Sequence, residues 1–217
     1  PLAGLCFNIL EKKKVAVPLV CHGHSRPVID LLYSPITPDG FFLISASKDS
    51  SLLLRNGEMG DWIGTFEGHK DAPPREVDYS PGSIRTVVWL HSDQTILSSC
   101  TDMGGVRLWD VRSGKIVQTI KTKSPITSAE VSQDGRFITI ADGSSVKFWD
   151  ANHYELVRSY DMSCTVESAS LEPKWGNKFI AGGEDMWIRL FDFHTGVEIA
   201  CNKGHHGPVQ SYITYNN

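Results

Sequence analysis

A phrase recurs along this chain at a nearly fixed interval, and that recurrence restricts the fold more than any single residue does. Trp109-Asp110 and Trp149-Asp150 stand forty residues apart, and Phe191-Asp192 follows forty-two residues later. Each pair closes a similar run. The first goes from Thr101-Asp102 to Val106-Arg107-Leu108-Trp109-Asp110 and the second from Ala141-Asp142 to Val146-Lys147-Phe148-Trp149-Asp150. The third goes from Glu184-Asp185 to Ile188-Arg189-Leu190-Phe191-Asp192. Short β-rich stretches are broken by Gly, Asp, Asn and Ser at regular spacing, the pattern of brief strands joined by tight turns. Helical periodicity is absent. Such a chain builds one supersecondary unit several times and buries its core by stacking the copies.

A period of about 40–45 residues that closes on Trp-Asp, with Gly-His near the start of the unit, marks a WD-repeat propeller blade. Gly-His occurs at Gly23-His24, Gly68-His69 and Gly204-His205. At roughly 42 residues per unit, 217 residues hold about five units. The expected fold is therefore all-β: an incomplete WD40-type β-propeller of about four full four-stranded blades plus partial ones. In the first unit the alternation predicts strands over 41–44 and 52–56 with a turn from Ser45 to Asp49. In the last full unit it predicts a strand over 179–181, a turn from Gly182 to Asp185, and a strand from Trp187.

The acid of each turn, Asp49, Asp102, Asp142 or Asp185, lies seven or eight positions before the end of the phrase. A buried carboxylate is tolerated only when it is hydrogen-bonded, and a buried imidazole needs partners for both nitrogens. In WD proteins the Gly-His imidazole, the turn Asp, a strand Ser or Thr and the Trp indole form one such network. The first unit has His24, Ser45 and Asp49, with Arg55 where Trp belongs. The units ending in Trp109 and Trp149 have Ser80-Pro81-Gly82 and Lys123-Ser124-Pro125 in place of Gly-His. The residues expected to hold the blades are thus His24, Ser45, Asp49, Asp102, Trp109, Asp142, Trp149, Asp185 and Phe191. Blades without Gly-His are expected to rely on apolar packing more than on polar contacts, and to be looser.

Composition removes several classes of function. With 41% hydrophobic and 21% charged residues and a net charge of −4, the chain reads as globular, with no global field favouring nucleic acid. Five cysteines without a CxxC pair argue against a disulfide framework and for a reducing, intracellular setting. No apolar run approaches the roughly 18 residues of a membrane span. The basic cluster Lys12-Lys13-Lys14 follows the apolar residues at the amino end, the reverse of a secretory signal, so 1–17 reads as an extension.

Chemistry is hard to find. His205-His206 has no third ligand at metal spacing, so no metal is expected. His24, Ser45 and Asp49 imitate a nucleophilic triad only in composition, because a triad needs an exposed nucleophile. Gly104-Gly105 and Gly182-Gly183 read as turns and lack the lysine and helix of a phosphate loop. No catalytic residue and no cofactor is expected. Trp109 and Trp149 read as core and Trp187 as packing, whereas Trp62 and Trp175 fall in connecting segments.

Several longer phrases carry a more specific likeness. Gly23-His24-Ser25-Arg26-Pro27-Val28, Thr37-Pro38-Asp39-Gly40, Gly60-Asp61-Trp62-Ile63-Gly64-Thr65-Phe66, Ser168-Ala169-Ser170-Leu171-Glu172-Pro173, Ala181-Gly182-Gly183-Glu184-Asp185 and Lys203-Gly204-His205-His206-Gly207-Pro208-Val209 resemble the serine/threonine kinase receptor-associated (unrip) family, plant members above all. The likeness runs from about Val15 to Val209. It implies a seven-bladed, non-catalytic adaptor that acts in the cytoplasm and nucleus. Family members serve the survival-of-motor-neuron complex, which loads Sm proteins onto spliceosomal RNAs, and in animals they associate with receptor kinases and inhibitory Smads. The expected partners are proteins of the Sm/Gemin type or kinase signalling proteins, with no direct nucleic acid, membrane or small-molecule substrate. The WD subunit of translation initiation factor three is one alternative, and an enzyme built on a propeller scaffold is another.

The chain also departs from that family. After Lys70 it jumps to Asp71-Ala72-Pro73-Pro74-Arg75-Glu76, so about two blades, on the order of 85 residues, are missing near the 70/71 junction. Residues 210–217 replace most of the last blade, leaving 18–209 as the propeller part. The expectation is an open arc of about four blades, with unpaired edges, no polar caps and poor solubility on its own. Binding surface on such a scaffold belongs to the loops of one rim. The residues after Gly-His and before the turn Asp point there, which nominates Arg26, Lys48, Thr101 and Glu184.

Overall fold

Residues 20–66, 84–90, 95–100, 105–204 and 206–207 are described by a computed structural model of the chain, with the backbone alone for 95–100. Among them sixteen strands follow one another with no helix between them, forming four separate sheets. The first blade is β1 (Val28–Tyr33), β2 (Phe42–Ser47), β3 (Leu52–Asn56) and β4 (Trp62–Phe66). The second is β5 (Ile84–Leu90), β6 (Thr95–Cys100), β7 (Val106–Asp110) and β8 (Ile116–Ile120). The third is β9 (Ile126–Val131), β10 (Phe137–Asp142), β11 (Ser145–Asp150) and β12 (Leu156–Asp161). The fourth is β13 (Val166–Leu171), β14 (Lys178–Gly183), β15 (Trp187–Asp192) and β16 (Glu198–Lys203). Every sheet is an antiparallel meander with its strands in chain order.

The four sheets share one register. Each first strand carries a bulge at its second residue, Ile29, Arg85, Thr127 or Glu167, before pairing with the second strand. Each third strand shifts register against the fourth near its end, at Arg55, Trp109, Trp149 and Phe191. Bulges of this kind raise the local twist and turn side chains toward a new direction. Two expected turns prove shorter than the sequence pattern implies. Ser45, Ala46 and Ser47 extend β2, and Gly182 and Gly183 extend β14: Ser45, Ala46 and Gly182 pair on both sides and Ser47 and Gly183 with the first strand alone, even though small residues weaken the strand pattern. Gly183 must be glycine: a Cβ there would lie 2.4 Å from the Thr165 carbonyl oxygen. The true turns bend through left-handed residues, Ser50 at φ 68° and Met186 at φ 67°.

The cores lie between sheets. Ile44, Leu52, Leu54 and Phe66 of the first blade meet Ile84, Val87, Trp89 and Trp109 of the second. Leu90, Val106, Leu108 and Ile120 meet Ile126, Ala129, Ile138 and Ile140 across the second seam. The third seam is aromatic. Phe148 sits 5.1 Å from Phe179 and 4.9 Å from Phe193, both edge-on, while Phe179 stacks on Phe191 at 4.9 Å and on Tyr160 at 5.3 Å. Offset and edge-to-face pairs at these separations add to the burial term. Trp109 is fully buried as expected, whereas Trp149 is only partly buried, against the second seam.

First strands line the inside, packing in the order β1, β5, β9, β13, and β13 does not return to β1 in the same way. Side chains of one inner strand hold the backbone of the next. Asp30 Oδ2 accepts the Val87 N–H at 2.9 Å, Ser128 Oγ accepts the Ala169 N–H at 3.3 Å, and Glu130 Oε1 accepts the Leu171 N–H at 3.0 Å. The described blades thus form an unclosed arc with three seams.

Candidate functional site

One rim of the arc gathers the starts of first strands, the turns between second and third strands, and the ends of fourth strands. In the first blade His24 Nδ1 lies 3.1 Å from Asp49 Oδ2 and its Nε2 lies 2.7 Å from Ser45 Oγ. The Nδ1–H tautomer satisfies both, donating to the carboxylate and accepting the serine hydroxyl. Ser51, which sequence reasoning passed over, donates its hydroxyl to Asp49 Oδ1 at 2.5 Å, and the Ser25 N–H donates to Oδ2 at 2.8 Å. Burial pushes the Asp49 carboxyl up, but the bonds from Ser51, Ser25 and His24 outweigh it and leave the group at about 2. Ser45 is buried, so the trio is a structural clasp with no open nucleophile. Arg55, in the tryptophan register, is 3% exposed and donates to the carbonyls of Gly60, at 3.2 Å, and His22.

The blades without Gly-His carry a different device. In the third, Lys147 Nζ lies 2.5 Å from Asp142 Oδ2 and Ser145 donates to Oδ1; the Asp142 side chain is 1% exposed. In the fourth, Arg189 Nη2 lies 2.5 Å from Asp185 Oδ2 and Nη1 reaches Cys164 Sγ at 3.7 Å. The Arg189 bond holds the Asp185 carboxyl below its usual range, against its burial, while burial pushes the Cys164 thiol up. The expectation that such blades lean on apolar packing rather than polar contacts is therefore corrected for the blade ending in Trp149, where a cation two residues into the third strand replaces the imidazole, while Asp102 of the blade ending in Trp109 lies outside the described residues. The first blade has Leu53 at that register. The Trp149 indole N–H takes no part, being buried without a hydrogen-bond partner.

On the opposite rim, the Asp of each Trp-Asp phrase caps the turn between third and fourth strands, a role the sequence analysis did not assign. Asp110 accepts from the Ser113 hydroxyl at 2.6 Å, Asp150 from the His153 N–H at 2.7 Å, and Asp192 from the Thr195 N–H at 2.8 Å. These bonds lower all three carboxyls. The signal was legible in principle, because an Asx side chain two or three residues before a turn residue is a known turn former.

Of the nominated docking residues, Arg26, Lys48 and Glu184 are exposed and share the clasp rim. Lys48 and Glu184 occupy the same place in two blades, their N–H groups bonded to the Pro27 and Thr165 carbonyls. Thr101 and Asp102 lie outside the described residues, as do 1–17, the 70/71 junction and 210–217. Trp62 opens β4 rather than a connecting segment and is 62% exposed; Trp175, in the turn between β13 and β14, is 65% exposed. Trp187 is half-buried under Lys203 Nζ, 3.8 Å from the ring centre. Between the inner strands runs a cleft of about 490 Å³, lined by Asp30, Arg85, Thr86, Ser128, Glu130 and Glu167 among others. Burial raises the Glu130 carboxyl, against bonds from Ser170 and the Leu171 N–H.

The WD domain, G-beta repeat family matches residues 16–56 and 114–150. A serine-threonine kinase receptor-associated protein of Dictyostelium discoideum is 36% identical over 265 positions, covering 88% of this chain and 90% of that protein. The chain belongs to the serine-threonine kinase receptor-associated protein family. The Homo sapiens member is 30% identical, covering 88% of this chain and 75% of its own. Subunit I of eukaryotic translation initiation factor 3 from Bombyx mori is 28% identical over only 64% of this chain and 47% of that protein. The alignment to the Dictyostelium relative is longer than the 217 residues present here, so relatives in this family carry stretches that this chain lacks. A receptor-associated family member with a propeller fold is an adaptor or scaffold by class.

Proposed function

We propose that this chain is a non-enzymatic adaptor of Sm-ribonucleoprotein assembly, acting in the cytoplasm and nucleus beside survival-of-motor-neuron factors, with receptor-kinase signalling as its second setting. The observation that carries the reading is the 36% identity to a receptor-associated protein across nearly the whole of both chains. Supporting it, the rim that bears Arg26, Lys48 and Glu184 mixes charges of both signs on rigid turns, which suits protein partners better than a polyanion. No metal or cofactor enters the proposal.

Affinity purification with the immobilised chain from a eukaryotic cell extract tests it, with identification of the retained proteins. Sm and Gemin proteins are expected, with retention reduced by Lys48→Glu or Glu184→Lys. Recovery of initiation factor 3 subunits without Sm proteins transfers the chain to the alternative that the weaker subunit I match favours. A substrate turnover abolished by one substitution contradicts both.

A further inference from the structure

The shared register exposes a mismatch between the two ends of the arc. Leu31 of β1 stands where Val87, Ala129 and Ala169 stand in later blades, and Tyr33 stands where Trp89, the partly buried Val131 and Leu171 stand. Apart from Val131 those counterparts are 2–8% exposed, buried by the preceding blade, whereas Leu31 and Tyr33 are each 58% exposed. At the far end, Ile188 and Leu190 of β15 stand where Leu52 and Leu54, Val106 and Leu108, and Val146 and Phe148 stand. These six are 0–5% exposed under the following blade, while Ile188 and Leu190, with Ile180 beside them, are only partly buried. Leu31 and Tyr33 therefore represent the following side of a seam, and Ile180, Ile188 and Leu190 the preceding side.

The polar part of the seam is repeated as well. Ser168 occupies the position from which Asp30 and Ser128 accept an N–H of the next blade. The Leu31 N–H occupies the position of the donating Val87 and Ala169 N–H groups, and here it turns to its own Asp30 Oδ1 at 2.9 Å. What each end lacks, the other end of an identical molecule carries.

We infer that two copies of this chain associate head to tail, the fourth blade of each docking on the first blade of its partner, to close an eight-bladed ring. The three internal seams are the evidence for the occupant, since they show this pair of surfaces already joined within one chain. A contact between two different surfaces closes only if the rotation returns on itself, and eight blades lie within the range of known propellers.

Native mass measurement of the wild-type chain is expected to give a species about twice 24.0 kDa. Leu31→Lys and Leu190→Glu, each checked for retained β-structure by circular dichroism, are each expected to shift the mass to the monomer. Mixing the two variants is expected to restore a dimer, because one of its two seams is wild type and the other pairs Lys with Glu. A wild-type monomer overturns the proposal and assigns those faces to another part of the chain or to a foreign partner. A dimer that survives Leu31→Lys points to a back-to-back contact and overturns it too, as does an open ladder of higher oligomers. Absence of the mixed dimer with both variants folded decides against, and if either variant fails to fold the wild-type mass alone decides.

Discussion

The first and third blades face the same problem and solve it with different chemistry. Both bury an acid in the turn between their second and third strands. The first places an imidazole, two serine hydroxyls and a backbone N–H around Asp49. The third uses a lysine from its own sheet, with Ser145, around Asp142. The imidazole belongs to the segment preceding β1, so the first blade's clasp ties the incoming chain to the sheet. The lysine belongs to β11, so the third blade's clasp closes on itself. One device fixes how a blade joins its neighbours along the chain; the other only satisfies a carboxylate. The Gly-His signature therefore marks a connection, and its loss in a blade need not loosen the blade.

The largest expected effect separates the two. Lys147→Met leaves the Asp142 carboxylate buried without a counter-charge and is expected to cost about 3–5 kcal/mol in urea unfolding. Adding Asp142→Leu is expected to recover most of that loss, because a buried pair is replaced more cheaply than it is broken. A single-variant loss under about 1 kcal/mol would mean the clasp is bridged by water and the comparison is empty. Next comes Asp49→Asn, expected to cost about 1–3 kcal/mol by leaving His24 and the serines with a poorer acceptor. Its distinguishing mark is location: amides of 22–28 should lose protection along with β2 and β3, while β10 and β11 keep theirs.

Acid tests the first blade's clasp by itself. The folded Asp49 group sits at about 2, below the ordinary value of 3.8, so its contribution to stability is complete above about pH 4. That contribution fades as pH falls through 2. Amide signals of β1 to β3 followed from pH 5 to 2 should therefore weaken in the wild type as pH approaches 2. The Asp49→Asn chain should show no such step. Smallest of all, Lys48→Glu and Glu184→Lys should change stability by no more than about 0.5 kcal/mol, since both are exposed. Denaturant midpoints that move by more would show these side chains belong to the clasps rather than to the docking surface.

The repeat of Trp-Asp phrases was enough to read an open set of all-β blades, because sheet stacking at that period has few other solutions. The turn acids were legible too, since position alone set them apart. Lys147 and Arg189 were not. On a strand a charged residue between apolar ones reads as solvent-facing, and only the register against β10 and β14 shows it lying over the turn acid. Trp149 was legible as core from its place in the phrase, and it packs against the second seam, though the phrase did not show that its burial there is partial. The ends of the arc became visible only by matching Leu31 with Val87 and Leu190 with Phe148, a comparison that needs paired strands rather than a sequence period.

Stability of the arc resides in the seams between sheets rather than within each sheet. Amide hydrogen exchange on Phe148→Ala tests this most directly, because Phe148 belongs to β11 but packs on Phe179 and Phe193 across the third seam. Loss of protection should appear in β13, β14 and β15 as well as in β10 and β11, with the first blade unchanged. Protection lost only within β9 to β12 would contradict the account, and would mean that each blade holds itself together.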